Sequence, residues 1–252
     1  MDIGDTILLK LHPTFFFSQL QRLDITNFHD LGIHFLSYLE QVKQLKIFGG
    51  RFPSNVLSTH LPLVHTLQHL DSYRSTFSWM LGRTFKDLKE VKLYGIRSEE
   101  LSAYRSLRVD LPACTTLKSG YSSVIHFDFI FSPNLQILVL KEPYKDRIHN
   151  GDFSKPLQKF LLNCPHLQRL EVDIYYRSEL DSLFQFVFCD AQEQGVWQDI
   201  RSVKFTVGFW WVNDRISFFN QMLENQQHYG KSWREFIVKN VWRNDVILSA
   251  ST

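Results

Sequence analysis

The sequence predicts an α/β solenoid, with a curved parallel sheet on its inner face and helices on its outer face. Three observations carry this. The pattern Leu167-x-x-Leu170-x-Val172, within the stretch Pro165–Ile174, returns along nearly the whole chain. Successive strand side chains point to opposite faces, so the fourth and sixth places turn inward and the third, fifth and seventh turn outward. The first place closes the incoming turn. One such strand cannot bury its own apolar face, so the copies must stack.

The copies are indexed by their fourth-place anchors: Leu23, Leu45, Leu70, Val91, Leu117, Leu138, Leu170, Val203 and Phe236. Successive anchors lie 22, 25, 21, 26, 21, 32, 33 and 33 residues apart. The first five intervals fall in the leucine-rich-repeat range of roughly 20–29 residues. The last three leave room for longer helices or added loops. Two copies are poor: Ser72 and Ser119 stand where an apolar sixth residue belongs, and Cys114 opens the second of these. The expected fold is a leucine-rich-repeat solenoid of nine irregular repeats. It divides into an N-terminal capping segment over 1–19, the solenoid over 20–240 and a C-terminal tail over 241–252.

Taken in order, Phe15, Phe16 and Phe17 are placed to cover the open edge of the first repeat. Asp30–Gln41 carries Leu31, Phe35, Tyr38 and Leu39 at helical spacing. Gly49-Gly50 and Pro53 break the chain after the second strand. Val56–Val64 is a short return. Phe77–Leu88 shows a helical face of Phe77, Met80, Leu81 and Phe85, and Ser98–Val109 is a further candidate helix closed by Pro112. In Ser122–Phe131, residues Val124, Ile125, Phe127, Phe129 and Phe131 alternate with His126, Asp128 and Ile130, which reads as an additional strand that replaces a helix. Glu142–Asp152 is polar and is expected as a surface loop. Phe153–Leu162 predicts a helix with Leu157, Phe160 and Leu161 on one face and Pro156 in its first turn. Ser178 and Asn213 or Asp214 are placed to cap two more helices, to about Gln194 and Gln227. The tail holds Val246, Ile247 and Leu248.

Composition narrows the function classes. The chain of 252 residues is 44% hydrophobic, which excludes wholesale disorder. Twenty-eight Lys and Arg against 26 Asp and Glu leave a net charge of +2, with no electrostatic case for nucleic acid or an acidic membrane. No apolar run reaches about 18 residues, so no membrane span is expected. The three cysteines, Cys114, Cys164 and Cys189, are widely spaced and unpaired in number. They fit neither a disulfide framework nor a zinc site. Met1-Asp-Ile-Gly-Asp5 lacks a basic leader, and no Asn-x-Ser/Thr sequon occurs. A reducing compartment, cytoplasmic or nuclear, is expected for a monomer.

Leu61–Leu67, Ser75–Trp79, Leu111–Leu117, Pro133–Leu140 and Cys164–Leu170 resemble the leucine-rich repeats of fungal F-box proteins. The resemblance covers roughly residues 20–240. It implies a repeat domain that holds a protein target. In that family an N-terminal F-box docks on cullin-type ubiquitin-ligase subunits. Residues 1–19 show no such helices, so the implied alternative is the substrate-recognition part of a ubiquitin-ligase adaptor whose F-box is absent from this chain.

Catalytic and metal constellations are weak. Cys164, His166 and Asp173 contain the residue types of a thiol nucleophile with helpers, but Cys164-Pro165-His166 reads better as a helix end and turn. His60, His65 and His69 do not share a helical face, and Pro62 interrupts them. Phe209-Trp210-Trp211 reads as packing between a strand end and the next helix. With no convergent acid, base, nucleophile or metal set, neither an enzyme nor a cofactor is expected.

The outward places carry the more specific expectation. The seventh place is Phe48, Tyr73 and Tyr94 in three consecutive repeats, with Lys46, Asp71 and Lys92 at the fifth and Lys118 one repeat on. Strands about 4.8 Å apart would set the rings in a ladder on the concave face. Such a surface suits a protein segment with an apolar anchor and an acidic residue. The competing reading is that the rings only shield or brace the sheet.

Overall fold

A computed structural model describes residues 19–28, 33–50, 60–75, 78–95, 107–120, 127–141, 154–174, 199–207, 235–240 and 246–250. The chain divides into two compact units, residues 1–134 and 135–252. The fold is α/β, and both units are built on parallel strands.

In the first unit, β1 (Arg22–Phe28), β2 (Gln44–Gly50), β3 (His69–Ser75), β4 (Glu90–Tyr94) and β6 (Thr116–Ser119) lie side by side in sequence order. All are parallel, and the anchors meet one another: Leu23 opposite Leu45, Leu45 opposite Leu70, Leu70 opposite Val91, and Val91 opposite Leu117. A one-residue slip would turn every apolar side chain outward, so the common register follows from the alternation itself. Leu45, Leu70, Val91 and Leu117 are at most 2% exposed, while Leu23 on the edge strand is half-buried.

Each strand start repeats one hydrogen-bond motif. The second-place carbonyl accepts two amides from the next strand: Gln21 O from Lys43 and Gln44, Lys43 O from Gln68 and His69, Gln68 O from Lys89 and Glu90, and Lys89 O from Thr115 and Thr116. The first-place residues Val42, Leu67, Leu88 and Cys114 are fully buried behind these turns.

The return segments of this unit differ from the helices expected of them. Within Asp30–Gln41 the described part is a 3-10 turn, Ile33–Tyr38, and Leu36 and Leu39 carry the burial. Within Phe77–Leu88 the turn is only Ser78–Met80. Gly82 follows at φ 70°, a left-handed conformation that no right-handed helix continues through. Trp79 and Phe85 then meet edge to face, with centroids 5.8 Å apart, in the core. Ser98–Val109 ends as β5 (Val109–Asp110), which pairs in parallel with β7 (Ile130–Phe131), and Thr84 bridges to Asp110. The described end of Ser122–Phe131 is therefore partly strand, but a 3-10 turn at Phe127–Phe129 resets its phase. Ile130 is buried and Phe131 is 42% exposed, the reverse of the expected alternation.

The second unit carries β8 (Ile137–Leu140), β9 (Arg169–Ile174), β10 (Ser202–Val207) and β11 (Glu235–Asn240), all parallel. Leu138 faces Leu170, Leu170 faces Val203 and Val203 faces Phe236. Gln136 O and Gln168 O each take two amides from the following strand, as in the first unit. The helix α1 (Ser154–Leu162) buries Leu157, Phe160 and Leu161, the i, i+3, i+4 stripe the sequence indicates. Pro156 sits in its first turn, where no intrahelical donor is required. Val246–Ala250 is not a loose tail. It forms β12, antiparallel to β11, and so covers that strand's free edge.

The expected N-terminal cap over 1–18, the loop Glu142–Asp152, Phe209-Trp210-Trp211, Cys189 and the helices after Ser178 and Asn213 lie outside the described residues. Among the described residues no helix is long and apolar enough to cross a membrane.

Candidate functional site: the outward face of the first unit

The alternation that buries Leu45, Leu70 and Val91 turns the odd places outward on the same strands. Phe48, Tyr73 and Tyr94 are direct cross-strand partners. The Phe48 and Tyr73 rings are 6.1 Å apart at 31°, and Tyr73 and Tyr94 are stacked at 5.1 Å and 22°. These are favourable aromatic separations. Gly49 and Gly95, at φ 68° and 64°, follow Phe48 and Tyr94 directly. β4 ends at Tyr94, whereas β2 passes through Gly49 and stays paired at Gly50; glycine adopts the left-handed conformation at both places without steric cost.

Beside the rings runs a row of fixed charges. Lys92 Nζ lies 3.0 Å from Asp71 Oδ1 and 3.8 Å from Glu90 Oε1, and Lys118 Nζ donates to Glu90 Oε1 at 2.8 Å. His69 Nδ1 is 3.6 Å from Glu90 Oε2, and Arg22 pairs with Asp24 at 3.3 Å on the edge strand. The hydrogen bond from Lys118 holds the Glu90 carboxyl below its usual range, helped by the charges of Lys118, Lys92 and His69. Burial pulls the Lys92 ammonium down, but Asp71 and Glu90 outweigh it and raise the net value. An open depression of about 250 Å³ lies among Arg22, Asp24, Lys46, His69, Asp71 and Glu90.

All seven residues singled out in the sequence stand on this face. Their electrostatics differ from the expectation of three lysines awaiting an acidic partner. Lys92 and Lys118 are already neutralised within the protein, whereas Lys46 is exposed and forms no ion pair among the described residues. Sequence reasoning passed over Glu90 and weighed His69 only as a metal ligand. Both are third-place residues, outward by the same alternation, and the signal lay in that row.

The other constellations do not assemble. Cys164 is fully buried and its thiol donates to Phe160 O, while His166 is exposed and lies 3.4 Å from Asp199. His60 and His65 are exposed, and no group of three or more His, Cys, Asp or Glu that could hold a metal occurs among the described residues. Cys114 is buried, and desolvation pushes its thiol up to about 11 against hydrogen bonds involving Ser132 and Thr116.

The second unit holds a separate charge cluster. Glu171, with a side chain only 5% exposed, accepts from Lys141 Nζ at 2.6 Å and from Arg169 Nε at 2.8 Å. Burial works to raise the Glu171 carboxyl, but the two cations more than offset it and the net shift is downward. Asp173 is shifted upward by burial, despite a hydrogen bond with Thr206 and the charges of Lys141 and Lys204.

Comparison with protein-family models, curated proteins and solved structures gives no match.

Proposed function

We propose that this chain is a non-catalytic protein-interaction module, a leucine-rich-repeat solenoid that binds a protein partner on its outward sheet face. The observation that supports this most is the ladder of Phe48, Tyr73 and Tyr94, three rings in register on adjacent strands. Rigid aromatic side chains supply much of the affinity at protein interfaces, because they bury a large area at low entropic cost. The repeated anchor register and the repeated amide motif at the strand starts support the solenoid reading of the scaffold. The sequence resemblance adds a narrower form of the proposal, in which the module is the target-holding part of a ubiquitin-ligase adaptor working in the cytoplasm or nucleus.

The test is the double variant Tyr73→Ala, Tyr94→Ala. Affinity capture with wild type and variant identifies a partner, and titration against it then measures the change. Loss of at least ~2 kcal/mol, the hot-spot threshold, is expected with the fold intact. Equal partner sets and equal affinities would remove the ladder from consideration.

A further inference from the structure

The charges beside the ladder restrict what a partner must carry. In the fifth row, Asp24, Lys46, Asp71, Lys92 and Lys118 stand on consecutive strands in register. Asp24 is taken by Arg22, Asp71 by Lys92, and Lys118 by Glu90. Lys46 alone in this row has no ion-pair partner among the described residues, although carboxylates flank it on both sides. It is exposed, and it is two residues from Phe48 on the same face of β2, at the end of the ladder next to the exposed Thr26.

We infer that Lys46 and Phe48 form a two-point recognition site for an extended segment of a partner protein, with a carboxylate and an apolar side chain separated by one residue. This rests on the protein-binding reading above. In an extended chain, side chains two apart project on one side and are separated by about 6.6–6.8 Å, the same separation that sets Lys46 from Phe48 along β2. The carboxylate pairs with the one charge of the fifth row that has no ion-pair partner among the described residues, and the apolar group covers the end ring of the ladder. Specificity then comes from one charge-assisted hydrogen bond beside an apolar contact, and the paired Lys92 and Lys118 contribute little steering.

The test uses the full chain and a display library of random peptides, followed by anisotropy titration of the selected sequences. Enrichment of an acidic residue two positions from an aromatic or aliphatic one is expected. Lys46→Glu should weaken those peptides about fivefold or more, in keeping with one exposed charge-assisted contact. Exchanging the peptide's acidic residue for lysine should restore binding to Lys46→Glu but not to wild type. Lys46→Glu would stand between Asp24 and Asp71, so Lys46→Gln, which removes the charge without adding a like one, is the variant expected to keep the wild-type thermal unfolding curve and still to weaken the selected peptides. Peptides lost by the Tyr73→Ala, Tyr94→Ala double variant but indifferent to both Lys46 variants would overturn this inference and leave the ladder reading standing. A library that yields no binder, or binders indifferent to all variants, overturns both.

Discussion

The charge cluster of the second unit allows a quantitative test of how this fold handles a buried carboxylate. Glu171 is 5% exposed in its side chain, whereas Lys141 and Arg169 are 40% and 53% exposed. Removing both cations, as Lys141→Ala with Arg169→Ala, strips little apolar packing but leaves the carboxylate buried and unpaired. Breaking a buried pair from one side costs about 3–5 kcal/mol. The cations are partly hydrated, and water can replace some of their contact, so the lower end, ~3 kcal/mol, is the expected loss. For a chain of this size that is roughly 6–12 °C in Tm. The pH dependence has a definite sign. In wild type the Glu171 value lies below its ordinary 4.5, so its contribution is fully present above that value and is lost as pH falls through the depressed one. In the double variant only burial remains, which raises the value, so acidification relieves the penalty and the two unfolding curves should converge as pH falls through the depressed wild-type value. Adding Glu171→Leu to the double variant should recover most of the loss, since an apolar replacement of a buried ion group is often neutral or better. Urea denaturation at neutral and mildly acidic pH measures all three. A double variant with a wild-type midpoint at pH 7, or a deficit that grows on acidification, would refute the reasoning.

Other expectations follow from burial. Leu138→Asp places a charge at a fully buried anchor opposite Leu170 and should cost at least ~3 kcal/mol, read as a lowered unfolding midpoint. Cys114 and Cys164 are both fully buried, and the Cys114 thiol is raised to about 11, so thiol titration of the native protein should label them slowly until it unfolds. Ser78 Oγ is buried with no hydrogen-bond partner among the described residues, so Ser78→Ala should be neutral or stabilising by up to ~1 kcal/mol in the same denaturation assay.

The strands were legible in the sequence because their signal is short-range and redundant. Leu-x-x-Leu-x-Val fixes face and phase at once, and the anchors meet as neighbours within each unit. Even the two poor copies keep the phase: Ser72 and Ser119 are buried at the inward sixth place. The return segments were harder. Phe77, Met80, Leu81 and Phe85 have helical spacing, yet the backbone turns tightly at Ser78–Met80 and Gly82 then takes a left-handed conformation. Periodicity alone could not weigh that glycine, because an apolar residue reaches the core equally well from an extended segment. The row of rings followed from strand alternation, but the ion pairs did not. Lys118 reaches diagonally back to the third-place Glu90 on the neighbouring strand, a choice fixed by side-chain reach across the register.

The same geometry separates the two tasks of each strand. On β2, Leu45 and Ile47 are at most 2% exposed while Lys46 between them is exposed, and on β4 Val91 and Leu93 are fully buried on either side of Lys92. On these two strands, substitution at an odd place therefore changes the outward face without removing core area. Substitution at an even place changes stability without altering that face. The inward serines show what the even places require. Ser119 gives up apolar burial, yet its hydroxyl donates to Leu93 O at 2.9 Å, the same carbonyl that accepts the Gly120 amide. The even place therefore accepts a polar residue where a backbone acceptor satisfies it, which a buried hydroxyl requires. The odd places meet the same demand where they are buried: fifth-place Glu171 is satisfied by Lys141 and Arg169. Lys46 stands between Asp24 and Asp71 across the register, so Lys46→Gln should leave the fold unchanged, whereas Lys46→Glu sets three carboxylates side by side and should lower the unfolding midpoint slightly.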